Sequence, residues 1–558
     1  MRIRISKTWL LRVVALGILV VAANMACSAE CRFAPDGPGR MLTYRFDPQV
    51  SDTATILHVT LTFQGNAAGA ETIELPDHWG DGAARRAMSN LHPLSDGTSL
   101  STGPTADSEI VRYTPNAPVV VGYDLAKDWT GAFLNPLQFH PVVMAEYIEI
   151  NGSNGLVHPK LNNLDPVTVH FDWRELPAGW TLASSFGASQ DAAERCQSYT
   201  GTWEAVDRAL FAAGDFRLRR FEVHGQPVVL AIRGQWTFTD DEAVATLRKV
   251  MGVVRDFWQD YDFSYFLVTL KPYDVDHGTS DGSAYTNAFW MYMSRLDPLS
   301  GVLPTLAHEH FHAWNTPRMG EETEGQAKID WFHEGFTDYY GNTLVYQAGL
   351  VTLPDYLRFV NRDLRDYPAS TSPYVRGSII ALWLDAEISK ESDGKSSLRN
   401  VMLDMVRHRN EPLVNSRILA TIDHYLSPEL GAQLQDVVEH GVVPQLPTGA
   451  LGPCARLSID EVATFDLGFD YDASKAAGKI IGVRTAGPAF TAGLRDGQLL
   501  IKKSVWHDQP DKQVVFTVQT DAGARTIEYY PRGPSITVPQ FHLDQASYSA
   551  APGACLKR

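Results

Sequence analysis

Three histidines fall within five residues in HEHFHAWN, 308–315. On a helix, side chains four apart share a face while those two apart diverge, so His308 and His312 pair and His310 turns away. Glu309 follows the first of them, giving the pattern H-E-x-x-H. Two imidazoles one turn apart can bind one zinc ion, and the adjoining carboxylate can work on a zinc-bound water. A catalytic zinc commonly takes three protein ligands, and DWFHEGFTDYYGN supplies Glu334, 22 residues after His312. Asp338 lies one turn beyond Glu334 and points the same way. A carboxylate beside a metal-bound histidine fixes that ring's tautomer and orientation, so Asp338 is a candidate partner of His308 or His312; its plain alternative is a solvated helix residue. His333 competes as a ligand, but it sits about 100° round the helix from Glu334, so the two do not reach one ion together. On its own, H-E-x-x-H also turns up in unrelated proteins, and the rest of the chain has to decide.

The elements that would position these residues read as mainly helical. TDDEAVATLRKVMGVVRDFW opens with a capping box, Thr239 to Glu242, and continues with helical periodicity. Further helices are expected near 305–316, 330–347, 354–365, 376–390 and 396–407, preceded by strands such as SYFLVTL. Ahead of this region, from about 40 to 175, ATILHVTLTFQG alternates apolar and polar residues, and PVVVGYDL and VTVHFDW are short β-rich runs between turn residues, the pattern of a β-sandwich. VVPQLPTGALGP, 442–453, reads as a linker, and a small β-rich unit follows over roughly 455–535. The fold class expected is therefore multidomain α+β: a signal peptide over 1–29, an N-terminal β domain over 30–180, a catalytic domain over 181–445, the small β domain over 455–535 and a tail over 536–558.

Length and charge agree with such an organisation. A chain of 558 residues suggests two to four domains. The net charge of −17 argues against a nucleic-acid partner, since phosphate binding needs a basic surface. Arg2, Arg4 and Lys7 precede an apolar run from Trp9 to Ala23, and the small residues of ACSAE suit cleavage after Ala26 or Ala29. An uncleaved anchor is the alternative, although the run is short for a spanning helix; no other stretch is long enough to cross a bilayer. The expectation is an exported protein, periplasmic or secreted, with Cys27 as a candidate lipid-anchor site. After cleavage at Ala29 four cysteines remain, an even count that suggests two disulfides in an oxidising compartment. Cys31–Cys196 and Cys454–Cys555 are favoured because each pair brackets one region of the sequence.

HEHFHAWN, WFHEGFTDYY and SPYVRGSIIALWLDAEI, in this order, resemble the glycyl aminopeptidase family of gluzincin zinc metallopeptidases. The resemblance covers nearly the whole mature chain. It implies an N-terminal β domain, a thermolysin-like catalytic domain and a C-terminal PDZ domain, to which GVRTAGPAFTAGLRDGQ is similar, with LGF, 467–469, as the candidate peptide-carboxylate loop. It implies one Zn2+ per chain on His308, His312 and Glu334, with Glu309 as general base. Tyr374, in PYVRG, matches a tyrosine that hydrogen-bonds the tetrahedral oxyanion; without the resemblance it reads as a core or turn residue. Arg318 matches an arginine after the motif helix, either a substrate contact or a brace, and His310 reads as a packing or supporting residue. The implied partners are a peptide or protein substrate and a C-terminal peptide at the PDZ-like unit. The family also carries a Gly-Gly-Leu-Glu-His-like stretch whose glutamate holds the substrate's amino group. The corresponding HGTSDGSAYTNAFWMYMS, 277–294, has no glutamate; Asp281 is the nearest acid, at a different spacing. Substrate-binding residues stay open, and weak preference for a free N-terminus is expected. The reading from another class is an exported peptide-binding protein with a structural or inactive zinc site. An intact Glu309 speaks against it, because a structural site needs no general base.

Overall fold

The computed structural model describes residues 31, 33, 37–51, 54–76, 78–79, 82–550 and 555. The signal segment and Cys27 lie outside the described residues. Within them, no helix is long and apolar enough to cross a membrane.

Three stacked sheets organise the first half of the molecule, beside a smaller four-stranded sheet in the order 158–159, 70–74, 108–112 and 99–102. A six-stranded sheet runs in the order 196–202, 166–172, 40–50, 55–64, 118–125 and 88–93. Residues 40–45 pair parallel with 167–172, and the other pairings are antiparallel. Period-two alternation turns Leu42, Tyr44 and Phe46, and Leu57, Val59 and Leu61, inward. They meet Ile148, Ile150, Leu182 and Phe211 of a five-stranded sheet in one core. The opposite face of that second sheet, carrying Tyr147, Leu210 and Ala212, packs on a third sheet through Val229, Leu267, Trp290 and Tyr292. The middle sheet is thus buried on both faces. Its Glu149 forms a wholly buried ion pair with Lys271 of the third sheet and accepts a hydrogen bond from the Tyr292 hydroxyl. A boundary at 180 therefore does not divide the structure: Thr181–Ser184, Cys196–Thr202 and Leu210–Gly214 complete the N-terminal sheets, because residues distant in sequence must close them.

The third sheet belongs to the catalytic region. Its strands are β1 (Arg217–Val223), β2 (Gln226–Ile232), β3 (Phe266–Pro272), β4 (Ser280–Tyr285) and β5 (Ala288–Met293), in the order β1-β2-β3-β5-β4. β2, β3 and β5 are parallel, and β4 returns antiparallel along the edge. Helices cover its other face: α1 (Asp240–Trp258), α2 (Leu303–Phe311), α3 (Asp330–Gln347), α4 (Leu353–Asp366) and α5 (Pro373–Glu391). α1 begins at the capping box, with Thr239 Oγ1 accepting from the Glu242 N–H and the Glu242 carboxylate accepting from the Thr239 N–H.

The C-terminal part is a long antiparallel ribbon and a small module. β6 (Ala455–Phe465) pairs with β10 (Arg532–Leu543), and β7 (Leu499–Ser504), β8 (Val514–Thr520) and β9 (Gly523–Tyr529) form a sheet between them in sequence. α6 (Tyr471–Ala477) and α7 (Pro488–Ala492) close that sheet over its own core, which includes Leu467, Phe469, Ile480 and Phe516. A tail starting at 536 is not found: those residues form most of β10, held because its partner β6 would otherwise be left unpaired. The two disulfides join Cys31 to Cys196 and Cys454 to Cys555, the pairings favoured from the sequence.

Candidate metal centre

α2 is shorter than the sequence suggests. It ends at Phe311, with His312 as its C-cap in helical conformation, so the expected stretch to 316 is not all helix. The one-turn relation survives, because the His312 N–H still bonds the His308 carbonyl at 3.2 Å. Both imidazoles therefore face the same point, with His308 Nε2 and His312 Nε2 3.1 Å apart. Glu334, on the second turn of α3, brings Oε2 to 3.4 Å from His308 Nε2 and 3.3 Å from His312 Nε2. That oxygen is buried and has no hydrogen-bond donor. Three buried donor atoms converging on one point, one of them an orphaned carboxylate oxygen, is costly unless a cation sits among them.

The distances also set the size of that cation. An ion held tetrahedrally with bonds of about 2.0–2.1 Å has ligand atoms about 3.3–3.4 Å apart along each edge. Separations of 3.1, 3.3 and 3.4 Å fit that edge length, and two imidazoles with one carboxylate are the donor set of a catalytic zinc.

Supporting residues fix each ligand. His312 Nδ1 donates to the Asn315 carbonyl at 3.0 Å, which leaves Nε2 for the ion. The buried Asn315 side chain donates to the carbonyls of Phe332 and His333 and to Thr337 Oγ1, binding the exit of α2 to the first turn of α3. Sequence reasoning missed Asn315; its only mark there was its place at the end of HEHFHAWN. Asp338 Oδ1 stands 3.8 Å from His308 Nδ1, on the orienting side of that ring. Burial, then the nearby Asp363 carboxylate, pushes the Asp338 carboxyl up to about 7. His333 is turned away from the ligand set: its Nδ1 meets Gln326 Nε2 at 2.9 Å and its ring packs edge-on against His312. His310 is wholly buried, accepts from Arg255 Nε and packs on Phe266 and Trp314. Arg318 braces the loop, paired with Asp260 and lying 4.3 Å over the Phe263 ring.

Glu309 and Tyr374 border the ligand set on one side. Burial pushes the Glu309 carboxyl up to about 8, with the positive charge of His312 opposing. Edge strand β4 passes directly above it: a Cβ at Gly282 would lie 2.6 Å from the Glu309 carboxyl carbon, so a larger residue there would displace the Glu309 side chain. Tyr374, in the first turn of α5, lies near-parallel to the His308 ring, with centroids 5.9 Å apart, and is 44% exposed. Burial, then the Glu334 and Glu309 carboxylates, push the pKa of its hydroxyl well above the usual phenol range. α5 can carry it so close because α3 and α5 cross at two glycines: a Cβ on Gly377 would stand 2.6 Å from the Gly335 Cα.

The ligand set lies between two hollows. One, of about 360 Å³, is bounded by Asp281, His308, Glu309, Phe359, Arg362 and Tyr374. The other, of about 650 Å³, runs past His312 and Gln326 and reaches Asn163 and Glu204 of the N-terminal region. Asp281 faces the smaller hollow with its carboxylate engaged: Asn135 Nδ2 (2.7 Å) and Gln138 Nε2 donate to one oxygen and the Gly282 N–H to the other. Asn135 and Gln138 come from a loop more than 140 residues earlier, and nothing in the local sequence marks them. A roomier hollow of about 800 Å³, between residues 186–198 and β1, includes no imidazole.

Residues 301–384, which include His308, Glu309, His312, Glu334, Asp338 and Tyr374, match the model of the M61 glycyl aminopeptidase family. Across solved structures, an aminopeptidase N family protein of Idiomarina loihiensis superposes with a TM-score of 0.69 at 18% identity, covering 93% of this chain and 100% of its own. An M1 zinc metallopeptidase of Deinococcus radiodurans reaches a TM-score of 0.47 at 15% identity, over 73% of this chain and 96% of its own. No curated sequence matches. The segment holding the whole ligand set thus matches the M61 glycyl aminopeptidase family, within a chain that has the overall fold of an aminopeptidase N family protein.

Proposed function

We propose that this protein is an exported zinc metallopeptidase that hydrolyses peptide bonds with Glu309 as general base. The observation that carries the reading is the set of three donor separations, 3.1, 3.3 and 3.4 Å, beside an intact Glu309. When bound there, Zn2+ supplies Lewis acidity toward a carbonyl oxygen and toward a water. His308, His312 and Glu334 hold the ion, Asp338 and the Asn315 carbonyl aim the two rings, and β4 keeps bulk water from one side of Glu309. The Glu309 carboxylate takes the proton of the attacking water and hands it to the leaving amine nitrogen. The Tyr374 hydroxyl donates to the carbonyl oxygen as negative charge grows on it, an interaction worth about 3 kcal/mol. The two disulfides support an oxidising compartment, the setting of a periplasmic or secreted enzyme.

Two finer features belong to the same proposal. Asp281 already spends both oxygens on Asn135, Gln138 and Gly282, which supports weak dependence on a free N-terminal amine. The C-terminal module resembles a PDZ domain in the stretch GVRTAGPAFTAGLRDGQ, but its loop 467–469 is engaged: the Gly468 N–H donates to Asp466 Oδ1, and the chain enters α6 soon after. An added peptide strand would need an extended edge at that place, so catalysis is favoured over peptide capture.

The test is cleavage of a peptide library with free and blocked N-termini by the zinc-loaded wild type and Glu309→Gln. Cleavage by the wild type, its loss in the variant, and a drop of less than about 100-fold on blocking, equivalent to nearly 3 kcal/mol, are expected. Zinc bound by a wild type that cleaves nothing would overturn the peptidase; a larger drop on blocking would overturn the weak amine preference alone.

A further inference from the structure

The C-terminal module reaches the candidate site through one loop. The smaller hollow has two flanks, β4 at Ser280, Asp281 and Gly282, and α4 at Phe359 and Arg362. Residues Val505–Lys512, between β7 and β8, approach both just beyond the residues that line the hollow. On the β4 side, a Cβ at Gly278, two residues before Ser280, would lie 3.3 Å from the Val505 carbonyl oxygen. On the α4 side, Arg365 Nη1 donates to the Asp508 carbonyl oxygen at 2.9 Å, three residues past Arg362. Burial opposes the Arg362 charge, and Asp508 joins Asp363 and Asp338 among the negative charges that more than offset it. Within the loop, Lys512 Nζ lies 3.2 Å over the Trp506 ring.

The loop is anchored as well as placed. Asn361 of α4 donates to the Phe541 carbonyl at 2.8 Å and accepts from the Phe541 N–H at 2.7 Å, so β10 is fixed to the helix that forms the flank. The Tyr346 hydroxyl at the end of α3 donates to the Cys555 carbonyl, and the Cys454–Cys555 disulfide ties that point to the start of β6. The loop thus spans from the β4 side to the α4 side just outside the lining residues of the hollow, on a module fixed to α4.

We propose that Val505–Lys512 is the end wall of the cleft on its Arg362 side, and that it limits how far a peptide extends past the scissile bond in that direction. The proposal rests on the peptidase reading and adds to it a determinant of substrate length contributed by the C-terminal module. The two hollows differ in the way this requires: the walled one is about 360 Å³, and the one toward the N-terminal region is about 650 Å³. A pocket near 300 Å³ is at the small end of ligand sites and holds only the short end of a peptide.

The experiment uses the full chain with Trp506–Asp511 replaced by a short glycine linker, alongside Arg365→Ala, which removes one anchor only. Peptides with one fixed cleavage site are lengthened residue by residue on either side. For the wild type, kcat/KM should fall by about tenfold or more once one side, and only one, passes a threshold length. The shortened loop should abolish that fall while leaving rates on short peptides nearly unchanged, and Arg365→Ala should reduce it. Equal tolerance of both sides by the wild type, or the same fall in a shortened-loop protein with unchanged melting, would overturn the wall. A readout independent of cleavage is alkylation of Thr305→Cys, on the floor of the hollow. Iodoacetamide should react similarly with either loop length, whereas a polymer-linked maleimide should react about tenfold faster once the loop is shortened; equal maleimide rates would also overturn the proposal. The expected labelling with no peptide cleaved by any form would refute the peptidase reading and leave the wall standing.

Discussion

Gly377→Ala puts a methyl group into the crossing of α3 and α5. Its Cβ would stand 1.9 Å from the Trp331 carbonyl oxygen and 2.6 Å from the Gly335 Cα, against an ordinary contact limit of 3.4 Å. Restoring contact needs a shift of about 1.5 Å, the difference between 3.4 and 1.9 Å. α3 is the less free to yield, because the Asn315 side chain binds its first turn to the α2 exit. α5 therefore moves, and Tyr374, one turn before Gly377, moves with it. A misplacement of about 1 Å at a reacting centre costs about 100-fold in rate, and overpacking costs about 1–3 kcal/mol in stability. The ligands on α2 and α3 stay in place, so zinc affinity should change little. Steady-state kinetics on Gly377→Ala, Tyr374→Phe and the double variant form the assay. Each single variant should lose about 100-fold in kcat, and the double variant should lose little more, because both remove the same interaction. Fully multiplicative losses, or a Gly377→Ala enzyme with wild-type kcat, would refute the claim that this crossing places Tyr374.

Two other predictions concern stability. Cys454 and Cys555 close a loop of 101 residues, so their joint replacement by serine should cost about 2–5 kcal/mol in guanidinium unfolding; an unchanged midpoint would show that the ribbon needs no clamp. His158 lies buried against Trp203, and burial lowers its imidazole from 6.5 to about 4. Between those values the unfolded chain takes up a proton that the folded ring refuses, so stability is lost as pH falls from 6.5 toward 4. The gap of 2.5 pH units corresponds to about 3 kcal/mol at 1.36 kcal/mol per unit. The stability advantage of wild type over His158→Gln should shrink by that amount from pH 7.5 to 4, and a constant difference would exclude a neutral buried ring.

What the sequence makes legible here is local. His308, His312 and Glu334 converge because the four-residue spacing at the end of α2 and the four-residue spacing of acids on α3 each fix one face; the Thr239 capping box is likewise written in nearby residues. Legibility fails where the partner is far along the chain. Asn135 and Gln138 reach Asp281 across more than 140 residues, and the bearing of Gly282 on Glu309 shows only once β4 is seen to cross above it. The strands at 181–184, 196–202 and 210–214 carry ordinary β patterns with nothing to say which sheet they complete. β10 looks like a tail until β6 is seen to need it. The early end of α2 is a tightening of its last turns, where the Ala313 and Trp314 N–H groups bond carbonyls three residues back.

The central claim is that His308, His312 and Glu334 together hold one divalent ion that Glu309 does not ligate. Zinc titration of the metal-stripped protein, against a competing chelator, tests it on wild type, Glu309→Gln and Glu334→Ala. One ion per chain in wild type and in Glu309→Gln with similar affinity, and at least about 100-fold weaker binding by Glu334→Ala, is the predicted result. Equal affinity in Glu334→Ala, or loss of the ion in Glu309→Gln, would contradict the assignment of ligands and base.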